Sequence, residues 1–140
     1  TKNRGIALCA PIAPYERSRR QNRELISRYG GYIEVYLSTS LEICMKRDRK
    51  GLYAKAVAGK IKGVTGVDDP YEEPVNADIT IDTTDVGPEE VAQEVLFCLK
   101  SKGYVGEGLR VNVHRAPHLL CCRAHLKYRE YVCVPVRLTS

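Results

Sequence analysis

The stretch that decides how this chain is interpreted reads Arg47-Asp48-Arg49-Lys50-Gly51-Leu52-Tyr53-Ala54-Lys55-Ala56. A second stretch soon follows it and reads Ile61-Lys62-Gly63-Val64-Thr65-Gly66-Val67-Asp68-Asp69-Pro70-Tyr71-Glu72-Glu73-Pro74. Together they place cations, glycines and a tyrosine ahead of an acidic turn that is bounded by prolines. This composition is poorly suited to a buried core and well suited to closing over a polyanion. We therefore predict that residues 47–74 form a lid over a phosphate-bearing ligand.

The two stretches resemble the lid of adenylyl-sulfate kinases, which reads approximately RD-x-KGLY-x-KA and then IK-x-FTGI-x-x-x-YE-x-P. The matching residues are Arg47, Asp48, Lys50, Gly51, Leu52, Tyr53, Lys55, Ala56, Lys62, Thr65, Gly66, Tyr71, Glu72 and Pro74. Enzymes of this family transfer a phosphoryl group from ATP, with Mg²⁺, to the 3'-hydroxyl of adenosine 5'-phosphosulfate (adenylyl sulfate). The resemblance therefore implies ATP and adenylyl sulfate as ligands in sulfate assimilation.

The resemblance covers residues 3–105. Residues 4–15 resemble the family's third strand and substrate loop, residues 32–37 the next strand, and residues 78–90 the last strand and the start of the final helix. It implies an α/β fold with an incomplete, P-loop kinase-like parallel sheet and flanking helices. The domain limits expected are 1–105 for the partial kinase domain, with its lid at 47–74, and 106–140 for an unmatched basic tail that is expected to be poorly ordered.

The resemblance also implies a set of nucleotide-binding residues. Arg47, Lys50, Lys55 and Lys62 would offset the charge of phosphoryl oxygens in a closed site that excludes water. For a charge run considered by itself, a solvated helix face is the usual interpretation. Thr65 and Gly66 belong to the same lid motif.

For each of three further positions, the sequence allows two interpretations. Arg19 and Arg23 fall where the family has arginines, and they either contact the phosphosulfate or only solvate a helix, since Arg at i and i+4 is common on solvent faces. Thr84 resembles a family position near the adenine of ATP. An N-cap of the last helix, formed by Thr84 or Asp85, explains that segment equally well.

The sequence departs from the family at two positions. Val64 replaces an aromatic residue that stacks on the substrate adenine in the family, and such stacking contributes about 1–3 kcal/mol per base. Ala13 stands where many members have a serine proposed to carry a phosphoryl group, which an alanine cannot accept. No catalytic residue is therefore assigned.

No G-x-x-x-x-G-K-[ST] occurs in the sequence. That loop cradles the phosphates of ATP through its backbone N–H groups, its lysine and its hydroxyl. The interpretation is a C-terminal portion of an adenylyl-sulfate kinase domain, without the P-loop strand and inactive by itself, most like versions fused behind ATP sulfurylase. The alternative is a non-catalytic remnant that acts as an interaction or regulatory module, or a gene-model fragment.

Alternating strand and helix patterns support the α/β class. The apolar run 5–10 is typical of a strand covered on both faces, and residues 33–37 and 79–81 predict two more. Helices are expected from Glu16 to Tyr29, after Ser38-Thr39-Ser40, and from Pro88 to Lys102, the last with an apolar stripe. In the family, the P-loop strand lies between the strands that residues 5–10 and 32–37 resemble. Its absence predicts unpaired edges and therefore aggregation or an oligomer.

The remaining features narrow the class of protein. No apolar stretch approaches the roughly 20 residues of a membrane span, and no charged-then-apolar leader suggests export. Cys9, Cys44 and Cys98 lie in apolar patterns typical of buried, reduced thiols, from which a cytoplasmic protein is expected. The net charge of +5 lies mainly in the tail, which is the one feature that favours a nucleic-acid binder, and no nucleic-acid partner is expected. The tail also holds a candidate strand at 131–134 and a poorly spaced set of zinc-ligand types, for which no metal is expected: His114, His118, Cys121, Cys122 and His125.

Overall fold

The computed structural model describes residues 7–48 and 50–105, together with the backbone of residues 131–136. Its elements are, in chain order, α1 (Glu16–Ile26), β1 (Gly31–Leu37), α2 (Leu41–Lys46), α3 (Leu52–Val57), β2 (Ile79–Ile81), α4 (Pro88–Ser101) and β3 (Tyr131–Val136). The predicted α/β class is confirmed, with helices flanking a small sheet.

The sheet has the strand order β2-β1-β3, with β1 in the centre. β2 runs parallel to β1, from Val35 opposite Ile79 to Leu37 opposite Ile81. β3 runs antiparallel to β1 along its other edge, from Gly31 opposite Val136 to Tyr36 opposite Tyr131. The sheet is therefore mixed, and the prediction that this edge of β1 is unpaired is wrong. The strand expected at 131–134 is confirmed and extends to residue 136.

The strand expected over residues 5–10 is not found in its described part. Residues 7–10 are exposed and form no strand beyond a single bridge position at Cys9, and Leu8 is 51% exposed. An apolar run becomes a buried strand only where a neighbouring strand offers an edge and helices cover both faces. Here β2 and β3 occupy the two edges of β1.

The main core lies between the sheet and α4. Ile33, Val35 and Leu37 of β1 are at most 3% exposed, and they form one cluster with Ile81 and with Val91, Cys98 and Leu99 of α4. Val95 and Leu96 pack against that cluster, which confirms the apolar stripe predicted for this helix. Each such side chain contributes roughly 1.5–3 kcal/mol by leaving water.

The lid has a small core of its own, contrary to the prediction that this composition does not support one. Tyr53 and Val64 are 3% and 6% exposed and pack with Cys44 of α2. The partly buried Leu41, Leu52, Ala56 and Ile61 surround them. The lid therefore folds as a unit with α2.

The ends of α2 and α4 follow local signals, except at the start of α4, whereas α1 ends at Ile26, three residues before the expected Tyr29. Ser40 caps α2 by accepting a hydrogen bond from the Ile43 amide at 3.4 Å, as expected, and Gly103 takes a positive φ of 72° just after α4. The N-cap of α4 is Gly87, whose amide donates to the Glu90 carboxylate at 3.0 Å. The prediction that Thr84 or Asp85 is this cap is therefore wrong, because Pro88 opens the helix three residues further on than Asp85.

The chemistry of the cysteines differs from the prediction at one position. Cys44 and Cys98 are buried free thiols, whereas Cys9 is an exposed one. Within residues 7–48 and 50–105, no cluster of His, Cys, Asp and Glu is suited to a metal ion, and no described helix is long and apolar enough to cross a membrane. The zinc-ligand types of the tail lie outside the described residues.

Candidate nucleotide-binding site

A cavity of about 540 Å³ lies between the lid and the loop that precedes α1. Ile12 contributes from that loop, Leu41 and Cys44 from α2, Tyr53 from α3, and residues 65–71 from the second half of the lid. Its walls are therefore largely apolar, with the Thr65 hydroxyl and the Asp68 and Asp69 carboxylates as polar groups. Cavities of this size and lining are typical of small-molecule sites.

The turn that carries Thr65 and Gly66 is held by Asp68. Its carboxylate accepts hydrogen bonds from the Gly63 and Val64 amides, each at 2.7 Å, and these bonds hold the pKa of Asp68 below its usual value. Gly66 has a φ of 85° and donates its amide to the Asp69 carbonyl at 2.8 Å. Residues that carry a side chain rarely adopt that φ, so glycine suits this position.

The Asp48 carboxylate likewise accepts hydrogen bonds from backbone amides, here at the start of α3. Its two carboxylate oxygens accept from the Leu52 amide at 2.8 Å and from the Ala54 amide at 2.9 Å. Gly51, the N-cap of α3, has a φ of 63°. The acidic and glycine positions of the lid motif are therefore explained in part by capping of this short helix.

The three lysines of the lid motif lie at the surface. Lys50, Lys55 and Lys62 are exposed, and they are not among the described residues that line the cavity. The structure thus brings Thr65 and Gly66 to the cavity and leaves the three ammonium groups outside it.

Val64 is placed differently from the substrate-facing position that the resemblance implies. Its side chain packs with Cys44 and Tyr53 in the lid core and is not among the cavity-lining residues. In this arrangement the lid core is closed by a branched aliphatic side chain, and the ring that lines the cavity from α3 belongs to Tyr53.

Arg47 connects the end of α2 to the loop that follows β2. Its guanidinium donates to the Thr83 carbonyl at 2.6 Å, the Thr84 carbonyl at 2.8 Å and the Thr83 hydroxyl at 3.1 Å. The Thr83 hydroxyl also lies 2.6 Å from that of Thr39. Arg47 is therefore anchored to the backbone of residues 83 and 84.

Thr84 is joined to Arg47 through its carbonyl and to Asp82 through its hydroxyl. The hydroxyl and amide of Thr84 donate to the Asp82 carboxylate at 2.6 and 2.9 Å, and these bonds lower the pKa of Asp82. Two predicted site residues, Arg47 and Thr84, are thus in direct contact, which their distance in the sequence does not indicate.

Arg23 belongs to a network of charged side chains between α1 and β1. Its guanidinium lies 2.7 Å from Asp78 and 3.3 Å from Glu34, and it stacks over the Tyr32 ring at 4.8 Å. Lys102 lies 2.9 Å from the other Asp78 oxygen. These contacts tie α1 and the C-terminal end of α4 to the middle of β1 and to the residue before β2.

The network shifts the pKa of its carboxyl groups in opposite directions. Burial raises the pKa of Glu34, an effect that the nearby Arg23 and Arg19 only partly offset. Burial also acts to raise the pKa of Asp78, but hydrogen bonds from the Glu34 amide, Arg23 and Lys102 outweigh it and lower that pKa.

Arg19 is the most buried charged side chain described, at 2% exposure. It donates to the Ala13 carbonyl, the Glu72 carbonyl and the Glu16 carboxylate, each at 2.8 Å. The helix-solvating interpretation is therefore wrong for Arg19 in this structure. Sequence reasoning did not assign a role to Glu72, Asp48 or Asp68, although their carboxylates organise the site, because the matching amides are identified only by the folded backbone.

The sequence and the fold of this chain are similar to those of one family of known proteins. Residues 1–82 match the family profile of adenylylsulphate kinase. A solved Mycobacterium tuberculosis APS kinase, in complex with AMPPNP and APS, is similar with a TM-score of 0.58 and 37% identity over 64% of this chain and 52% of its own.

Curated relatives are similar over a longer part of the chain. Sulfate adenylyltransferases of Aspergillus oryzae, Aspergillus terreus and Coccidioides immitis are 46%, 48% and 47% identical over 104, 105 and 105 residues. These matches cover 74–75% of this chain and 18% of each relative's length. Because the family match extends over more than half of its residues, the chain belongs to the adenylyl-sulfate kinase family.

Proposed function

We propose that this member of the adenylyl-sulfate kinase family forms the lid and one wall of a binding site for adenosine 5'-phosphosulfate. The observation that carries the proposal is the cavity between Ile12 and residues 65–71, since both segments belong to the family match and face each other across it. The solved relative was obtained in complex with APS, which supports the choice of ligand.

The lining of the cavity suits a nucleoside. Ile12, Leu41 and the Tyr53 ring offer apolar surface to a base, and the Thr65 hydroxyl offers a hydrogen-bond partner to a ribose or base edge. In this proposal the exposed Lys50, Lys55 and Lys62 supply positive charge to the phosphosulfate as the lid closes. Arg47 and Thr84 form the side of the site toward ATP, with Arg23 supporting α1.

The proposal does not extend to phosphoryl transfer by the 140 residues alone. The sequence contains no G-x-x-x-x-G-K-[ST] loop, which in P-loop kinases cradles the phosphates of ATP and supplies a hydroxyl ligand to Mg²⁺. The residues present therefore support no phosphoryl-transfer step of their own. We expect the chain to bind adenylyl sulfate without consuming ATP.

Calorimetric titration of the purified chain with adenylyl sulfate tests binding. Ile12→Glu should abolish the heat of binding because it places a charge on the cavity wall. Leu8→Glu is the matched control, since Leu8 lies in the same segment, is 51% exposed and does not line the cavity. Unchanged binding by Ile12→Glu would place the ligand elsewhere. ADP release above the enzyme-free rate, with Mg²⁺, ATP and adenylyl sulfate present, would overturn the expected inactivity.

A second candidate function is a non-catalytic regulatory module that binds the same nucleotide. The observation that favours it is that proteins named sulfate adenylyltransferase are 40–48% identical over about three quarters of the chain, while Ala13 and Val64 depart from the kinase pattern. The partner would then be a sulfate adenylyltransferase (ATP sulfurylase) domain in the same polypeptide. The coding sequence that adjoins the Thr1 codon separates the two candidates: an in-frame phosphate loop supports the kinase, and an adenylyltransferase domain joined without one supports the module.

A further inference from the structure

Arg19, a buried residue of α1, is surrounded by acceptors from distant parts of the chain. One guanidinium nitrogen, Nη1, donates to the Ala13 carbonyl, and the other, Nη2, donates to the Glu72 carbonyl and the Glu16 carboxylate. Its Nε lies 3.6 Å from the Glu34 carboxylate of β1. A buried arginine is stable only where acceptors surround it, and here they come from three parts of the chain besides α1 itself: the loop before it, β1 and the end of the lid.

Glu72 is bound to the same loop by two bonds of its own. Its amide donates to the Pro14 carbonyl at 2.9 Å, and its carboxylate accepts the Glu16 amide at 2.7 Å. The second bond caps α1, whose N-cap residue Tyr15 provides no side-chain hydrogen bond. Arg19, Ala13, Pro14, Glu16 and Glu72 thus form one bonded group, the Arg19 clamp.

The clamp lies next to both walls of the cavity. Ile12, which lines one wall, precedes Ala13, and Tyr71, which lines the other, precedes Glu72. Ala13 has a φ of 40°, a left-handed conformation that residues with a side chain rarely adopt. A backbone in such a conformation persists only where surrounding contacts hold it in place. Here the hydrogen bond from Arg19 holds the Ala13 carbonyl directly.

We propose that Arg19 is a positioning residue that holds the loop of Ile12 and the end of the lid at a fixed separation, and so sets the width of the cavity. Arg19 does not contact the ligand in this proposal; it acts through the two carbonyl groups that it joins. A lysine does not reproduce the effect, because one ammonium group lacks the planar fork that reaches both carbonyls and a carboxylate. The proposal rests on the proposed function only for the identity of the ligand.

Native-state amide hydrogen exchange on the unaltered chain is the first test, because it does not depend on the folding of a variant. The Glu16 and Glu72 amides are predicted to open together, with the same opening equilibrium, since each is bonded within the clamp. Protection that differs by more than about tenfold between these two amides would mean that the clamp is not a unit and would overturn the proposal.

The second test compares Arg19→Met with Arg20→Met. Arg20 is the matched control, since it lies on the same helix, is 65% exposed and has its described ion pair, with Glu24, at a distance of 3.9 Å. Arg19→Met should raise exchange of the Glu16 and Glu72 amides by about tenfold relative to the Val91 amide of α4, as expected for loss of charge-assisted hydrogen bonds. An equal rise at Val91 would indicate general destabilisation and would overturn the positioning role, as would no rise at all.

Titration with adenylyl sulfate completes the test. Arg19→Met and Arg19→Lys should weaken binding of adenylyl sulfate by about tenfold or more, because the cavity-lining residues Ile12 and Tyr71 would no longer be held at the right separation. Arg20→Met should not change the affinity. Full affinity in Arg19→Lys would overturn the proposal. If the unaltered chain does not bind adenylyl sulfate, the proposed function fails, and the exchange measurements still decide whether the clamp exists.

Discussion

The ring of Tyr71, at the end of the lid, stacks against the ring of Tyr36 in β1, with centroids 6.4 Å apart and planes inclined by 25°. Tyr36 is only 5% exposed, so the contact joins the cavity wall directly to the central strand. Stacked aromatic pairs contribute about 0.5–1.5 kcal/mol beyond the area that they bury.

Tyr71→Leu should therefore lower the free energy of unfolding by roughly 1 kcal/mol or more, because the stack is lost along with part of the buried area. Denaturant titration followed by circular dichroism measures the change. Phe97→Leu is the control, since Phe97 is an aromatic residue of α4 that is 74% exposed. Equal effects of the two substitutions would show that the stack adds no stability.

Gly31→Ala should destabilise the chain by about 1–3 kcal/mol, the range for overpacking. A Cβ atom on Gly31 would lie 2.3 Å from the nearest carbon of the Tyr104 ring. A double-mutant cycle with Tyr104→Ala checks the cause, because Gly31→Ala should be nearly neutral once the ring is absent. A Gly31→Ala cost that persists without the ring would point to the backbone of β1 instead.

Asp78→Asn should lower stability at pH 7 by on the order of 2 kcal/mol, since it removes charge-assisted contacts with Arg23 and Lys102. The folded-state pKa of Asp78 is lowered from 3.8, so its contribution is present above about that pH and is lost as the pH falls through the folded value. Unfolding curves measured from pH 7 to pH 2 should therefore show a weaker loss of stability in acid for Asp78→Asn.

Glu34 provides a contrast of opposite sign. Its folded-state pKa is raised from 4.5, so the folded state binds protons more readily than the unfolded state, and this contribution decreases as the pH rises through the folded value. Glu34→Gln should consequently steepen the acid loss that Asp78→Asn weakens. Parallel pH profiles for the two variants would contradict the assignment.

Val64→Phe is expected to destabilise the lid by about 1–3 kcal/mol, because a ring does not fit a site where the valine is already 6% exposed among Cys44 and Tyr53. The family pattern by itself suggests the reverse, a variant that binds adenylyl sulfate more tightly. Val57→Phe is the matched control, since Val57 lies in the same lid and is 66% exposed. Thermal unfolding measures the first effect, and titration with adenylyl sulfate measures the second.

Removing β3 should expose an edge of the central strand. A chain that ends at residue 130 leaves β1 unpaired on the side opposite β2, and such edges associate with other chains. Light scattering should therefore show larger particles for residues 1–130 than for residues 1–136, the matched control that retains β3. Equal particle size for both would show that the pairing with β3 does not protect the edge.

The sequence predicted the elements whose signals are local. The apolar stripe of α4, its Pro88 start and the Ser40 cap of α2 depend on residues within one or two helical turns, and all three are found. The strand expected over residues 5–10 is not found in residues 7–10, because an apolar run indicates burial but does not supply the neighbouring strand that would bury it. Pairing of β1 with β3 joins distant parts of the chain, and no local pattern encodes it.

The candidate site shows the same dependence on distant contacts. The motif selects Thr65 and Gly66, which line the cavity, and it selects Arg47 but not the partners of Arg47, the backbone carbonyls of Thr83 and Thr84. Every residue has a backbone carbonyl, so the amino-acid sequence does not show which carbonyls accept the Arg47 hydrogen bonds. Val64 and Arg19 are ordered by packing and hydrogen bonds with residues far away in the chain, and these contacts could not be predicted from the motif.

Both ends of the lid are fastened, Arg47 to residues 83 and 84 and Glu72 to Pro14 and Glu16. A rigid movement of the lid that kept these bonds intact would be restricted to rotation about the line between the two anchored ends. The lid core also packs against Cys44 of α2, so such a rotation would have to carry α2 with it or break these contacts. Two anchored ends and a packed core therefore restrict this lid more than a single hinge would, and Arg47 and Glu72 both belong to the family's own motif.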